Sequence, residues 1–259
     1  ILRILRVGLD HDLLLELDDT FRRELADVLS PKEMASAISE MESDEAVQVL
    51  EDLEKDEVTD VLREVSAEER EDIEQGLQFP EDTAGRRMQS EVVTVGTDWS
   101  VGRTIDFLRD EEELPDEFFD VFVVDQDHRP VGVISLSRIL RSPRETPMSE
   151  IVDDTQVIVP ADMEQEEVAL QFEKYDLTTA GVVDKEGKLL GMITVDDVME
   201  VAREEFEEDV LLLGGVGEEV VSDSVWFAAR NRFTWLLVNL FTAALASLVI
   251  GLFDATIEE

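Results

Sequence analysis

One stretch of the chain is written twice. Residues 121–125 (VFVVD) and 180–184 (AGVVD) are short β-branched runs that end in an acid. Each meets a turn, DQDHRP at 125–130 and DKEGK at 184–188, then a second apolar run at 131–135 and 189–194, then an amphipathic helical pattern. At an offset of 59 residues, Val123/Val182, Val124/Val183, Asp125/Asp184, Gly132/Gly191 and Ile134/Ile193 are identical pairs. Upstream, residues 92–95 and 156–159 each precede a helical pattern, with Asp98 and Asp162 near its start. A strand–helix–strand–strand–helix order with a period near 60 predicts a duplicated α/β unit, one copy over 80–145 and one over 146–203.

The periodicity before this repeat is helical. Ser30-Pro31-Lys32-Glu33 and Ser66-Ala67-Glu68-Glu69 read as capping boxes, and Ser43 and Asp56 as caps between them. The starts at 30, 43, 56 and 66 are 10 to 13 residues apart, and each interval carries two or three apolar turns. That spacing predicts an all-α superhelical domain of antiparallel helices over 1–79, because no such helix buries its stripe alone. The first eight residues, ILRILRVG, are apolar and basic and have no evident place in that pattern.

After the repeat the chain changes again. Residues 204–229 hold eight acids, Glu204, Glu205, Glu207, Glu208, Asp209, Glu218, Glu219 and Asp223, and no base. Residues 233–253 are 21 positions without a charge, enough to span roughly 32 Å as a helix, about one hydrocarbon core. We therefore expect an acidic connecting helix at 204–232 and one transmembrane helix at 233–253. Arg230 and Arg232 precede the span, and Asp254, Glu258 and Glu259 follow it. That asymmetry places residues 1–232 on the cytoplasmic side of the cell membrane. Ala243, Ser247 and Gly251 form a small-residue face that expects partner helices.

Composition closes several doors. The chain has 64 acids, 22 bases, two histidines and no cysteine, for a formal charge of −42. No basic stripe is present, so nucleic acid is not an expected partner. Without Cys there is no disulfide scaffold, thiolate metal site or thiol nucleophile. His11 and His128 stand in no catalytic constellation, and Gly214-Gly215-Val216-Gly217 lacks the Lys of a phosphate loop and reads as a hinge. The chain is not expected to be an enzyme. It opens on Ile1 with no legible signal peptide, which reads as a piece of a longer polypeptide.

The duplicated unit resembles a tandem pair of CBS domains. That family holds a nucleotide ribose with the pattern Gly, two apolar residues, Thr or Ser, two variable residues, Asp. The second copy has it whole over Gly191–Asp197, so the resemblance implies an adenine-nucleotide site with Thr194 and Asp197. The first copy reads GVISLSR at 132–138, with Arg138 where the Asp belongs. Thr194 is equally placed to cap the helix that starts at Val195.

Helical domain, CBS pair, acidic connector and first membrane helix, in that order, resemble the MgtE magnesium transporter family. FPEDTAGRRM at 79–88, TVDDV at 194–198 and ARNRFTWLLVNL at 229–240 carry the likeness. The resemblance implies a Mg²⁺-sensing regulatory part that gates a homodimeric membrane channel, with Mg²⁺ and ATP as ligands, and lipid and further transmembrane helices as partners. Its metal ligands fall on Glu186 and Asp196. In the connector this sequence is shorter than the family and has Gly217 where an acid is expected, so Glu218, Glu219 and Asp223 stand in as candidates. The physics agrees, since clustered carboxylates repel and a hydrated divalent ion relieves them. Three other readings compete. The acids of 12–79 can be plain solvated faces. The total charge can be adaptation to salt, which does not explain a base-free connector. A nucleotide-sensing CBS module of another membrane ion transporter is the alternative function.

Overall fold

The computed structural model describes residues 14, 15, 17, 19–26, 28–111, 114, 115, 118–153, 158–213, 233 and 236–247. The chain divides into two units, Ile1–Ala202 and Arg203–Glu259.

The first unit opens with a helical stack: α1 (Asp19–Ala26), α2 (Pro31–Ile38), α3 (Ser43–Glu51), α4 (Lys55–Leu62) and α5 (Ala67–Leu77). Ser30 and Ser66 close the two expected capping boxes. The two middle caps differ from expectation. Glu42 and Glu54 take the extended N-cap conformation, one and two residues before Ser43 and Asp56. Glu45 and Glu57 reach back to the backbone N–H of Glu42 and Glu54, at 3.1 and 3.0 Å. The acid three residues into the helix fixes the start and leaves the cap side chain free for other partners. Leu14, Met34, Ile38, Val49, Leu50 and Ile73 form the domain core. Buried Arg22 ties the first residues to it, donating to the Leu14 and Leu17 carbonyls and pairing with Asp52.

Two small sheets follow, each with a parallel and an antiparallel pairing. The first is β1 (Thr94–Gly96), β2 (Asp120–Val124) and β3 (Pro130–Ser135), with α6 (Val101–Asp110), α7 (Leu136–Arg141) and α8 (Met148–Ile151). The second is β4 (Ile158–Pro160), β5 (Thr179–Val183) and β6 (Leu189–Thr194), with α9 (Gln165–Tyr175) and α10 (Val195–Leu213). The helix at Val101 is capped by the Ser100 side chain and the helix at Gln165 has Glu164 at its N-cap position without a side-chain cap bond; Asp98 and Asp162 lie two residues upstream, near those starts. The repeat read from the sequence holds residue by residue. Val123 pairs with Gly132, and Val182 with Gly191. Asp125 Oδ1 accepts from the N–H groups of Asp127 and Arg129, and Asp184 Oδ1 from those of Glu186 and Lys188. The paired acids therefore build the same turn twice.

The paired glycines have a steric cause. A Cβ at Gly132 would lie 2.2 Å from the Asp153 carbonyl oxygen, and one at Gly191 2.3 Å from that of Gln89. At both points another strand crosses, bridging Val133 to Asp153 and Met192 to Gln89. The second crossing shows that the segment before β1 belongs in space with the second module. Ala84 and Met88 lie in that module's core, and Ala84 and Gly85 donate to the Met163 and Ala161 carbonyls. The two modules share a small core of Phe122, Val124, Val133 and Leu189, and Thr179 donates to Asp120 across them at 2.9 Å.

In the second unit, α10 runs on to Leu213 as one helix, so the expected boundary at 203 falls inside it. Residues 236–247 are helical and exposed. No helix among the described residues is long and apolar enough to cross a membrane. The hinge at 214–217 lies outside the described residues.

Candidate functional site

Two helix starts meet where the helical domain sits on the second module. One is α3, opened by Glu42. The other is α10, opened by Thr194, whose N–H and hydroxyl both donate to Asp197 Oδ2, at 2.9 and 2.6 Å. Each carries acids in its first turn, the usual response to a helix dipole. Here the two sets face one another. Burial raises the Glu42 carboxyl from an ordinary 4.5 to about 7, and repulsion from Glu45, Glu91, Asp197 and Asp196 adds to it. Burial pushes Asp44 well above the usual range, reinforced by Asp197, Glu42 and Glu45. Asp197 is raised by burial, with Asp196 and Glu200 adding, while the Thr194 hydrogen bonds pull the other way. Asp44 Oδ1 is sealed from solvent and has no hydrogen-bond partner.

The segment 89–91 threads between the two starts. Gln89 Nε2 donates to Glu42 Oε2 at 2.5 Å, and Ser43 Oγ donates to Glu91 Oε2 at 2.8 Å. The Ser90 N–H donates to Ser43 Oγ at 2.8 Å. Burial also raises Asp72, with Glu91 the largest charge acting on it. Glu51, at the other end of α3, is a contrast: burial raises it, but Arg87 and Arg86 oppose the shift. That acid is a structural ion-pair partner. The group around Glu42 and Asp44 repels itself. Such a set takes up protons or a cation. Among the described residues no three acids or imidazoles converge closely enough to chelate a metal directly. A donor set of one or two carboxylates from each side suits an ion that keeps its water.

The other expected residues fall as follows. Asp196 lies in this cluster, in the first turn of α10. Glu186 does not. It sits in the β5–β6 turn, its N–H on Asp184 and its carbonyl accepting from Arg129 Nε at 3.2 Å. The length of β6 separates it from Asp196, roughly 20 Å at strand rise, so the structure does not bring these two together. Glu218, Glu219 and Asp223 lie outside the described residues. Thr194 and Asp197 adjoin each other, and Asp197 lines a small cleft, with room for little more than a water, together with Arg87, Gln165, Ile193 and Val198. In the first module Ser135 and Ser137 hydroxyls lie 3.1 Å apart, and Arg138 is exposed.

Comparison with known proteins bears on this arrangement. A family model described as the MgtE intracellular N domain matches residues 1–82, and the CBS domain model matches 84–145 and 148–204. Magnesium transporter MgtE of Thermus thermophilus is 33% identical over 73% of this chain and 43% of that protein. Magnesium transporter MgtE of Enterococcus faecalis is 30% identical over 73% of this chain and 42% of its own length. A solved structure of the cytosolic domain of the Mg²⁺ channel MgtE in complex with ATP superposes with a TM-score of 0.67 at 30% identity, covering 74% of this chain and 78% of that one. The soluble part of a magnesium transporter gives 0.68 at 28%, covering 75% and 77%.

The chain belongs to the MgtE family.

It spans about half the length of the curated relatives it matches. As an MgtE N domain joined to a CBS pair, it places acids from both on one interface. Sequence reasoning singled out Asp196 as a metal ligand and Asp197 as a nucleotide contact, and did not single out Glu42 and Asp44. Acids in the first turn of a helix are common for reasons of dipole alone, so nothing local marked these two. The signal that existed was negative: Glu42, Asp44 and Glu45 crowd one helix start with no base between Met34 and Val49.

Proposed function

We propose that this chain is the Mg²⁺-sensing regulatory part of a magnesium channel or transporter. In it, Mg²⁺ neutralises the acids where the helical domain meets the second CBS domain and so holds that interface closed. The observation that carries this is Asp44 Oδ1, sealed and unpartnered among Glu42, Glu45 and Asp197. A hydrated divalent cation suits such a set; a monovalent one offsets less repulsion. Asp196 and Asp197 supply the second side. Glu186 and the connector acids Glu218, Glu219 and Asp223 supply further weak sites.

The energy scale requires several sites. Moving a two-state gate from 1:99 to 99:1 takes about 5.5 kcal/mol of differential binding. One site filled at ten times its dissociation constant gives about 1.4 kcal/mol. About four weak sites suffice, shared between the subunits of a homodimer. Exposed apolar side chains on α9 (Leu170, Tyr175) and α10 (Val195, Met199) support a second copy as that partner. The apolar run 233–253 anchors the protein in the cell membrane, with 1–232 cytoplasmic. ATP is proposed to bind the second CBS domain through Thr194 and Asp197. The chain is regulatory and does not catalyse a reaction.

Limited proteolysis across a Mg²⁺ titration tests the reading. Protection of 80–92 and 204–229 should rise with Mg²⁺, and Asp44→Asn with Asp196→Asn should make it independent of Mg²⁺. Equal protection by K⁺ at matched ionic strength, or none with Mg²⁺, overturns it.

A further inference from the structure

The carboxylates around Glu42 and Asp44 share a trait that their charge alone does not require. In four of them a protein donor already holds one oxygen. Glu42 Oε2 accepts from Gln89 Nε2 at 2.5 Å. Glu45 Oε2 accepts from the Glu42 N–H at 3.1 Å. Glu91 Oε2 accepts from the Ser43 hydroxyl at 2.8 Å and from the Ser43 N–H at 3.4 Å. Asp197 Oδ2 accepts from the N–H and the hydroxyl of Thr194. Each of these acids therefore offers a cation at most one oxygen that is not serving a protein donor.

The donors are anchored. Gln89 is buried, and its backbone N–H and C=O both bond to Met192 in β6, at 2.8 and 2.9 Å. Its amide thus reaches Glu42 on the helical domain from a backbone fixed to the second module. Ser43 Oγ accepts from the Ser90 N–H at 2.8 Å, which turns its own hydrogen toward Glu91. Thr194 ends β6 and starts α10, so both its donors are set by backbone geometry. Hydrogen bonds from fixed donors to a carboxylate are strong, and a metal that needs the same oxygen must break them.

That restriction separates two ions of equal charge. Ca²⁺ takes six to eight oxygens and often both oxygens of one carboxylate. Mg²⁺ is smaller, gives up water reluctantly, and is held through one or two carboxylates while keeping several waters. We propose that Gln89, Ser43 and Thr194 set the ion preference of this interface. By holding one oxygen each of Glu42, Glu91 and Asp197, they deny bidentate binding and make the closed interface answer to Mg²⁺ in preference to Ca²⁺. Gln89 is the positioning residue that spans the two surfaces. The inference rests on the reading of this interface as Mg²⁺-dependent.

The test compares two ions on the full chain in detergent. Melting temperature is followed across separate titrations of Mg²⁺ and Ca²⁺ at matched ionic strength, and the concentration giving half of the rise is read for each. In the unaltered chain the Ca²⁺ value should exceed the Mg²⁺ value severalfold. Gln89→Met keeps the length of the side chain and removes the amide, and should bring the ratio toward one. Ser43→Ala, which releases Glu91, should move it the same way and does not alter the buried Gln89. Lost packing lowers the melting temperature in every buffer and leaves the ratio where it was. Mg²⁺ stabilisation with an unchanged ratio in both variants, or equal values for the two ions in the unaltered chain, overturns this inference alone. No stabilisation of the unaltered chain by Mg²⁺ overturns the Mg²⁺ reading of the interface, and this inference with it.

Discussion

The two CBS modules use the same acid to shape a hairpin turn and the same glycine to admit a crossing strand, and they part company at the start of their last helix. In the second module Thr194 and Asp197 close on each other, and Asp196 and Asp197 face Glu42 and Asp44. In the first, Ser137 and Arg138 stand at those positions on an exposed helix. Scaffold and site therefore separate cleanly. What both modules keep is what the fold needs. What only the second keeps is the Thr194–Asp197 pair and acids that face a second acidic surface.

Breaking the shared scaffold should give the largest effect. Gly191→Ala and Gly132→Ala each force a methyl onto a carbonyl oxygen, and each should cost about 3 kcal/mol or more in urea unfolding. Gly191→Ala should also detach 84–89 from the second module, seen as faster amide exchange at Gln89. If the two variants unfold like wild type, the crossing strands are not the reason for the glycines.

The difference between modules comes next. Asp197→Ala should weaken ATP binding about tenfold, a change of about 1.4 kcal/mol, by calorimetry. Arg138→Asp should sharpen the comparison by adding a second nucleotide site in the first module. An unchanged Asp197→Ala titration would leave Thr194 and Asp197 as a helix cap alone.

The acid cluster predicts a pH effect where the helical domain meets the second module, and none from the corresponding helix start of the first. Glu42 binds its proton more tightly folded than unfolded, so the folded state holds more protons between pH 4.5 and about 7. Stability without divalent ions should fall as pH rises through that window. Mg²⁺ should oppose the fall, and Glu42→Gln should flatten it. A rise in stability over the same window, read by thermal melts in chelator, would contradict the sign.

The smallest effect concerns the turns. Gly187 has φ +82 and its counterpart His128 has φ 63. A left-handed non-glycine costs about 1 kcal/mol, so His128→Gly should gain up to that amount and Gly187→Ala should lose it.

Much of this fold was legible because its signals are local or periodic. The capping boxes at Ser30 and Ser66, the Asp turns and the 59-residue repeat rest on neighbours within a few positions, or on one pattern used twice. The caps at Glu42 and Glu54 were misplaced because a serine and an aspartate next to the true caps are equally good side chains for the role. The back-bonds from Glu45 and Glu57 to the Glu42 and Glu54 N–H groups mark where the helices start.

The sequence by itself determined the duplicated α/β unit, the helical domain before it, and the paired turn acids and glycines, because short-range hydrogen bonds and sterics dictate them. Only the tertiary structure decided that residues 84–91 lie with the second module, and that Glu42 and Asp44 face Asp197 across about 150 residues of chain. A charge on a helix start is favourable anywhere water reaches it. It becomes a site only when a second charged surface is brought against it and the water is removed.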